Sequence, residues 1–264
     1  MRSVADQSVQ ELGGTLSVLT RQKTDHIELN LLLEKLQAAA GGHQQRVLLR
    51  IYRLVFPHAF AEESILWPLM RRVLPEGEEL TLEVEREHQE VNELVTRLEE
   101  MDPSSPERSA ILARLVEVLR EDVRDEEDQL LPRLQALVSR RRLRRLGLLW
   151  EIVRRIAPTR AHPVVARRPP GNVIAALPLS VLDRLRDAVD ALRYTGGRSD
   201  GRLLGAVSGS LTRAAHAVEH LPLMRRGEDP STRVADPSPR VPWGLVTGAV
   251  IAGSVLMLRR GGPR

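Results

Sequence analysis

Residues 48–69 read LLRIYRLVFPHAFAEESILWPL, with apolar side chains recurring every three or four positions. This spacing is typical of the buried face of an amphipathic α-helix. Two ionisable residues, His58 and Glu62, interrupt that face near its middle. Buried ionisable groups are costly unless they are paired or bind a metal, so this face bears on both the fold and the chemistry. Its apolar positions are Leu48, Ile51, Val55, Ile65 and Leu69.

Three further segments show the same spacing, and turn-forming residues separate the four. The breaks fall at Gly41-Gly42, at 75–77 and at 102–106, and the last segment fades near residue 138. Short connections make sequential helices antiparallel. No stretch shows sustained β alternation. The sequence therefore predicts an all-α, up-down-up-down four-helix bundle over residues 8–138.

The other three helices also place polar residues on their apolar faces, close to their midpoints. Helix one has His26, helix three has His88, and helix four has Asp122 and Glu126. The midpoints of antiparallel helices lie at one level, so these side chains should meet in a single layer. The predicted layer contains His26, His58, Glu62, His88, Asp122 and Glu126.

Such a layer can be neutralised by ion pairs between its members or by divalent cations. Protonating three buried imidazoles costs desolvation, whereas cations leave the imidazoles neutral and able to bind metal. The i,i+4 spacing of His58/Glu62 and of Asp122/Glu126 places both members of each pair on one helix face. Imidazole and carboxylate ligands suit iron, manganese or zinc. The chain has no cysteine, which excludes disulfides and thiolate ligands.

Four segments around these residues resemble the hemerythrin-like, HHE cation-binding domain over about residues 10–138. They read TDHIELNLLLEKL, HAFAEESILWPLM, EHQEVNELVTRLEEMD and DVRDEEDQLLPRL. The resemblance implies a four-helix bundle with a non-haem di-iron centre that binds dioxygen or senses oxygen, iron or redox state. It also implies terminal iron ligands at His26, His58 and His88, and bridging carboxylates at Glu62 and Glu126.

Two positions depart from the family pattern. Asp122 stands where a histidine is usual, and Asn92 stands where the hemerythrins proper have a further histidine. An extra carboxylate favours a harder or more oxidised cation. We predict that Asp122 is a terminal ligand and that two iron ions bind, with manganese or zinc as alternatives. The favoured function is binding of dioxygen or another diatomic ligand, or sensing of oxygen, redox or iron state, by a domain tethered to the membrane. A di-metal oxidase or peroxide-consuming enzyme and a metal-free interaction bundle are the alternatives.

Aromatic residues are scarce, yet four of them lie in the second helix. Core packing is their simplest role, and lining a small dry pocket beside the metals is the alternative. The four are Tyr52, Phe56, Phe60 and Trp67.

Charge divides the chain into two unlike halves. Residues 1–137 carry 16 basic and 26 acidic side chains, and residues 138–264 carry 23 basic and 9 acidic ones. The basic half includes five arginines within 140–145, ahead of a short amphipathic segment with Trp150. We interpret 139–240 as an Arg/Pro-rich linker with short amphipathic helices. Anionic lipid is the favoured partner of its arginines over nucleic acid.

Residues 241–258 contain no charged side chain, and Arg259 and Arg260 follow them. As a helix, this segment is short for a membrane span but comparable with one. We therefore predict a single-pass C-terminal transmembrane helix at the cell membrane, able to pair with a second copy. The chain begins without a signal-like apolar run, so we predict that the metal domain lies in the cytoplasm.

Several other ionisable residues are predicted to lie at the surface. His216-Ala-Val-Glu219-His220 matches a zinc-peptidase string, but its basic, alanine-rich surroundings favour a solvated helix end. His43 and His162 lie beside Gly or Pro residues and are predicted to be exposed. Glu63 and Glu127 follow the bridging positions by one residue; solvated charge is the favoured role, with support of the ligands as the alternative.

Overall fold

The computed structural model describes residues 1–195 and 201–234. The described residues are helical, without a β-strand, which confirms the all-α prediction. Two of the four bundle helices continue through a single π-helical turn, at Glu62–Leu66 and at Glu126–Leu130. The bundle helices are α1 (Val18–Ala38), α2 (Gly41–Ala61) continued by α3 (Trp67–Val73), α4 (Gly77–Glu100), and α5 (Arg108–Asp125) continued by α6 (Leu131–Leu137).

The two π turns have the same local cause. In each, the backbone N–H of the next residue donates to the carbonyl five residues earlier, Trp67 to Glu62 and Leu131 to Glu126. Proline follows at once in both helices. A proline ring has no N–H and clashes with the carbonyl four residues before it, which a wider turn relieves. The extra residue rotates the helix beyond the turn, so Leu66 and Met70 are fully buried, and the predicted seam position Ile65 is only half-buried.

Two apolar clusters lie on either side of the polar layer. The first joins α1, α2, α4 and α5 around side chains such as Leu33 and Leu115. The second surrounds Trp67 and includes the N-terminal segment and α6. Both exclude water, because Leu115 and Trp67 have no exposed surface. The polar residues between these clusters are therefore buried deep in the bundle.

Helix α7 (Arg140–Ile156) packs on α1 and α2 rather than standing apart from the bundle. The Ser139 hydroxyl caps it by accepting from the Arg142 N–H, which satisfies one backbone donor of the first turn. Its inner face buries Leu146, Gly147 and Trp150, while its five N-terminal arginines are exposed. This face completes the second apolar cluster.

Gly147 should be intolerant of a side chain. A Cβ added there would lie 2.0 Å from the Leu16 carbonyl oxygen, which is backbone and cannot move aside easily. Gly147→Ala should therefore lower the free energy of unfolding by about 1–3 kcal/mol, as overpacking does. Gly209→Ala is the matched control, because the added Cβ meets only the flexible end of Arg213. It should raise stability by up to about 1 kcal/mol through helix propensity. Urea denaturation measures both, and equal effects would contradict the prediction.

The remaining described residues also pack on the bundle. Helix α8 (Gly171–Thr195) contacts α2 and pairs with α9 (Gly201–Glu219), and a short 3₁₀ turn follows at Pro222–Arg225. The inner face of α8 is acidic, with Asp183, Asp187 and Asp190 all buried. Buried carboxylates need paired partners, and cationic groups from the segment before α8 and from the bundle supply them.

The predicted membrane anchor requires correction. No helix among residues 1–195 and 201–234 is long and apolar enough to cross a membrane. The segment predicted to do so, 241–258, lies outside the described residues. The predictions of a transmembrane helix and of a membrane location are therefore contradicted and are not retained.

Candidate metal centre

The six predicted ligands come together at the level where the two π turns begin. His26 comes from α1, His58 from the last turn of α2 and His88 from α4. Asp122 lies in the last turn of α5, while Glu62 and Glu126 are the first residues of the two π turns. Each of the six is at most 9% exposed. The antiparallel arrangement therefore brings together residues up to a hundred positions apart.

The side chains form two groups of three that share Glu126. One ligand atom from each of His26, His58 and Glu126 lies within 4.8 Å of the others, and the same holds for Glu62, His88 and Glu126. Glu62 also joins the groups: its Oε1 is 3.3 Å from His58 Nε2, and its Oε2 is 3.5 Å from His88 Nε2. Two carboxylates thus span both groups, which is the arrangement that two neighbouring cations require.

Asp122 lies beside the second group. Its Oδ1 is 3.5 Å from His88 Nε2, the same distance that separates this nitrogen from Glu62. The carboxylate therefore faces the position of a cation held by His88 and Glu62. Its role as a terminal ligand stays a prediction.

Each histidine is oriented by a carboxylate behind it. The Nδ1 atoms of all three rings lie 3.0 Å from a carboxylate oxygen, and the Nε2 atoms face the centre. Donation from Nδ1–H fixes the tautomer and leaves the Nε2 lone pair free for a metal. The pairs are His26 with Glu127, His58 with Asp25, and His88 with Glu63.

These supporting carboxylates correct part of the sequence interpretation. Solvated charge was the favoured role of Glu63 and Glu127, but Glu63 is buried and both contact metal-site histidines. Support of the ligands was the correct alternative. Asp25 was missed entirely, although its place next to His26 in α1 was a usable signal.

Several carboxylate oxygens in the layer have no hydrogen-bond donor. They are Oε2 of Glu62, Oδ1 of Asp122 and both oxygens of Glu126. A buried acceptor without a donor costs free energy, most of all when it is charged. Cations at the centre of the layer would satisfy all of these oxygens at once. The donor set thus fits the cations that mixed imidazole and carboxylate sites prefer.

The pKa values of these groups show how strongly they interact in the absence of a metal. Burial lowers the pKa of His26, but the adjacent Glu126 and Glu127 carboxylates outweigh it and raise that pKa to about 9. Burial and the charge of Glu126 raise the pKa of Glu62 to about 7. Burial also favours protonation of Glu126, but the His26 and His58 imidazoles beside it dominate and hold its pKa below the usual value. A cation must displace the imidazole protons, so its binding weakens as pH falls below those pKa values.

Helix α7 reaches this centre from outside the four-helix bundle. The buried Trp150 ring meets the His58 ring edge-on, with centroids 5.0 Å apart. Arg154 Nη1 lies 2.8 Å from Asp25 Oδ2, the oxygen that also faces His58 Nδ1. Helix α7 therefore helps to fix the orientation of a metal-site histidine.

Asp25→Asn should weaken metal binding without removing a ligand. The amide is neutral, so it supports the His58 imidazole less strongly than the carboxylate does, and we expect about 10- to 100-fold lower affinity. Asp128→Asn, an exposed change at the second π turn, is the control and should bind metal normally. Competition against a chelator measures both affinities. Wild-type affinity in Asp25→Asn, with folding unchanged by circular dichroism, would contradict the role of Asp25.

A small cavity adjoins the centre. It has a volume of about 20 Å³, and its walls include the predicted ligands His26, His58 and Asp122 and the apolar side chains Leu54 and Phe56. One water molecule needs roughly 10–15 Å³ measured in this way, so the cavity has room for one very small molecule. Of the four aromatic residues in the second predicted helix, Tyr52, Phe56 and Trp67 lie in the apolar clusters, and Phe56 also lines this cavity.

Comparison with known families agrees with this geometry. Residues 17–134 match the family model of the hemerythrin HHE cation-binding domain. This part of the chain is a hemerythrin-like HHE domain. The family binds cations, and the two groups of side chains described above could hold them. All six predicted ligands lie within the HHE domain, and α7, α8 and α9 lie beyond its matched region.

Two known proteins are similar to part of the chain. An uncharacterized hemerythrin-like protein of Schizosaccharomyces pombe is 27% identical over 134 residues, which cover 50% of this chain and 66% of the relative. A DNA nickase of Nostoc sp. is 31% identical over 109 residues, covering 41% of this chain and 30% of the nickase. The chain therefore spans less than two thirds of either relative. No solved structure matches it.

Proposed function

We propose that the HHE domain holds two iron ions and binds dioxygen or another diatomic ligand beside them, and that it senses oxygen or redox state. The observation that carries this proposal is the pair of ligand groups sharing Glu126 next to a cavity of about 20 Å³. Two adjacent cations need shared carboxylates, and a cavity of this size excludes organic substrates. Iron is favoured because imidazole and carboxylate ligands suit it and because bound iron supplies the redox chemistry.

The protein's own residues control access to the cavity. Leu54 and Phe56 contribute apolar surface to the cavity, which favours a small uncharged molecule over water or an anion. The imidazoles are held by their Nδ1 partners, so they do not need to reorient when a ligand arrives. The site is therefore built to hold a diatomic molecule with little rearrangement.

A second candidate function is a di-metal oxidase or a peroxide-consuming enzyme. Asp122 favours it, because a third carboxylate beside His88 stabilises a more oxidised centre. Such a centre would favour irreversible oxidation over reversible binding.

Anaerobic reconstitution of the full chain with ferrous iron, followed by exposure to air, tests these functions. We expect about two iron ions per chain and an oxygen-dependent absorption band that disappears on removal of oxygen. Irreversible oxidation with consumption of peroxide would instead support the enzyme. Failure to bind iron would overturn both, and stoichiometric manganese or zinc binding in its place would change the metal assignment.

The cavity can be tested separately from the metals. Leu54→Phe should fill the cavity and weaken ligand binding while leaving the iron content unchanged. Leu49→Phe is the control, since Leu49 packs against the same apolar cluster but does not line the cavity. Equal ligand affinities in the two variants would show that the ligand binds elsewhere.

A further inference from the structure

The end of α9 and the residue that follows it bring together a further set of side chains that could bind a metal. One ligand atom from each of His216, Glu219 and His220 lies within 4.8 Å of the others. The sequence interpretation treated this string as a solvated helix end, but Glu219 is only 4% exposed. His216 and His220 lie one helical turn apart, with ring centroids 4.2 Å apart. A buried carboxylate thus stands beside two neighbouring imidazoles whose rings are tilted by 56°.

We propose that His216, Glu219 and His220 bind one zinc ion, separate from the cations of the HHE domain. Two imidazoles and a carboxylate form a donor set used by zinc, with the fourth position of a tetrahedral site left to water. Ligand atoms in such a site lie roughly 3.4 Å apart, for metal–ligand bonds of about 2.1 Å. The three side chains therefore need only small rotations to reach it.

The groups behind these ligands support the assignment. Glu219 Oε2 lies 3.2 Å from His162 Nδ1, and His162 Nε2 lies 3.1 Å from the buried Asp183 carboxylate. The carboxylate of Glu219 is therefore held from behind while its other oxygen faces His216, at 2.6 Å from Nδ1. Metal-ligating residues are commonly fixed by such outer partners.

A hydrogen bond also determines which ring nitrogen of His220 carries the hydrogen. Its Nδ1 lies 2.7 Å from the His216 carbonyl oxygen, which can only accept, so Nδ1 carries the hydrogen. In a neutral ring this leaves the lone pair on Nε2, the form that binds zinc. The backbone of α9 therefore prepares His220 as a ligand.

Charge and access are also suitable for a cation. Burial favours protonation of Glu219, but hydrogen bonds from His162 and His216 outweigh it and lower the pKa to about 2, so the carboxylate is ionised at neutral pH. The side chain of His216 is 50% exposed, which leaves a path from solvent. Glu219 therefore lies on the buried side of the proposed site, and His216 lies on its solvent-facing side.

Glu219 links the proposed zinc site to the segment that covers the HHE domain, through its contact with His162. The buried His162 belongs to that segment, and its backbone N–H donates to Asn92 Oδ1 on α4. Asn92 in turn donates to the backbone carbonyl of His88. The proposed site is therefore joined to the iron-binding region by hydrogen bonds, although it shares no ligand with it.

Zinc titration of the full chain tests the proposal, with the HHE site disabled by Glu126→Gln. We expect one zinc ion per chain in this background, and none when His216→Ala and His220→Ala are added. His43→Ala, which removes an exposed histidine far along the chain, is the matched control and should retain the zinc. Cobalt substitution should give the visible spectrum of a tetrahedral site in the Glu126→Gln protein and in the His43→Ala control. The protein that lacks His216 and His220 should not show this spectrum.

The outcomes separate this proposal from the function proposed for the HHE domain. Unchanged zinc binding in the protein lacking both histidines, or no zinc in the Glu126→Gln background with folding intact, would overturn the zinc site. Neither result affects iron binding by wild-type protein, which is measured independently. Folding of each variant is checked by circular dichroism.

Discussion

Glu126→Gln should abolish binding of both metals to the HHE domain. Glu126 belongs to both ligand groups, and its two oxygens have no other donor. The amide removes a negative charge and leaves only one oxygen to bind a cation, so neither position keeps a complete set of ligands. We expect the affinity of each position to fall by more than about 100-fold, beyond the loss caused by changing a residue behind a ligand. Metal analysis after dialysis against a weak chelator measures this.

Folding should survive this change, which makes the loss of metal interpretable. In the metal-free protein Glu126 and Glu62 repel each other, and their interaction helps to raise the pKa of Glu62. A neutral amide removes that repulsion, although it also removes the partner of His26. The metal-free variant should therefore unfold at a temperature close to that of metal-free wild type. Retention of one tightly bound metal would show that Glu126 is not shared, and Asp128→Asn should retain both.

The bundle and the polar layer could be predicted because both depend on local periodicity. His58 and Glu62 stand out in the sequence only because their neighbours at helical spacing are apolar. Short connections then fix the helix directions, and antiparallel directions bring the helix midpoints together. The π turns were visible only indirectly, as a one-residue shift in the apolar seam after Glu126.

The groups behind the ligands could not be predicted in the same way. Their roles depend on small rotations about the helix axis, which decide whether residues such as Glu63 or Asp25 face a histidine or solvent. Helical spacing cannot tell which of two adjacent residues faces the histidines when the helix widens at a π turn. His162 was wrongly assigned to the surface for a related reason, since its partners Asp183 and Glu219 lie on two later helices.

Contacts between the acidic first half and the basic second half explain much of the charge asymmetry that the sequence analysis attributed to binding of anionic lipid. Arginines of the second half pair with acidic residues of the bundle, Arg154 with Asp25 and Arg168 with Glu85. Opposite charges on the two halves therefore stabilise the contact between them. The arginines within 140–145 are exposed, and a partner such as anionic lipid stays a prediction for them alone.

Arg160→Met should give the largest loss of stability among the charged residues that join the halves. The Arg160 guanidinium is 2% exposed and lies within 2.8 Å of Glu99, Asp187 and Asp190. Removing it leaves buried carboxylates without their main counter-charge, which typically costs about 3–5 kcal/mol. Arg53 remains beside Asp187, and Arg186 remains near Glu99, so we expect the lower end of that range. Urea denaturation of the metal-free protein measures it.

Arg114→Met separates the effect of burial from that of charge pairing. Arg114 also lies within 3.5 Å of three carboxylates, Glu90, Glu117 and Glu121, but its side chain is 42% exposed. Water screens these pairs and solvates the carboxylates when the arginine is removed, so the expected loss is about 0–1 kcal/mol. Equal losses in the two variants would mean that Arg160 is solvated in the folded protein. The acidic face of α8 would then not depend on Arg160 for its contact with the bundle.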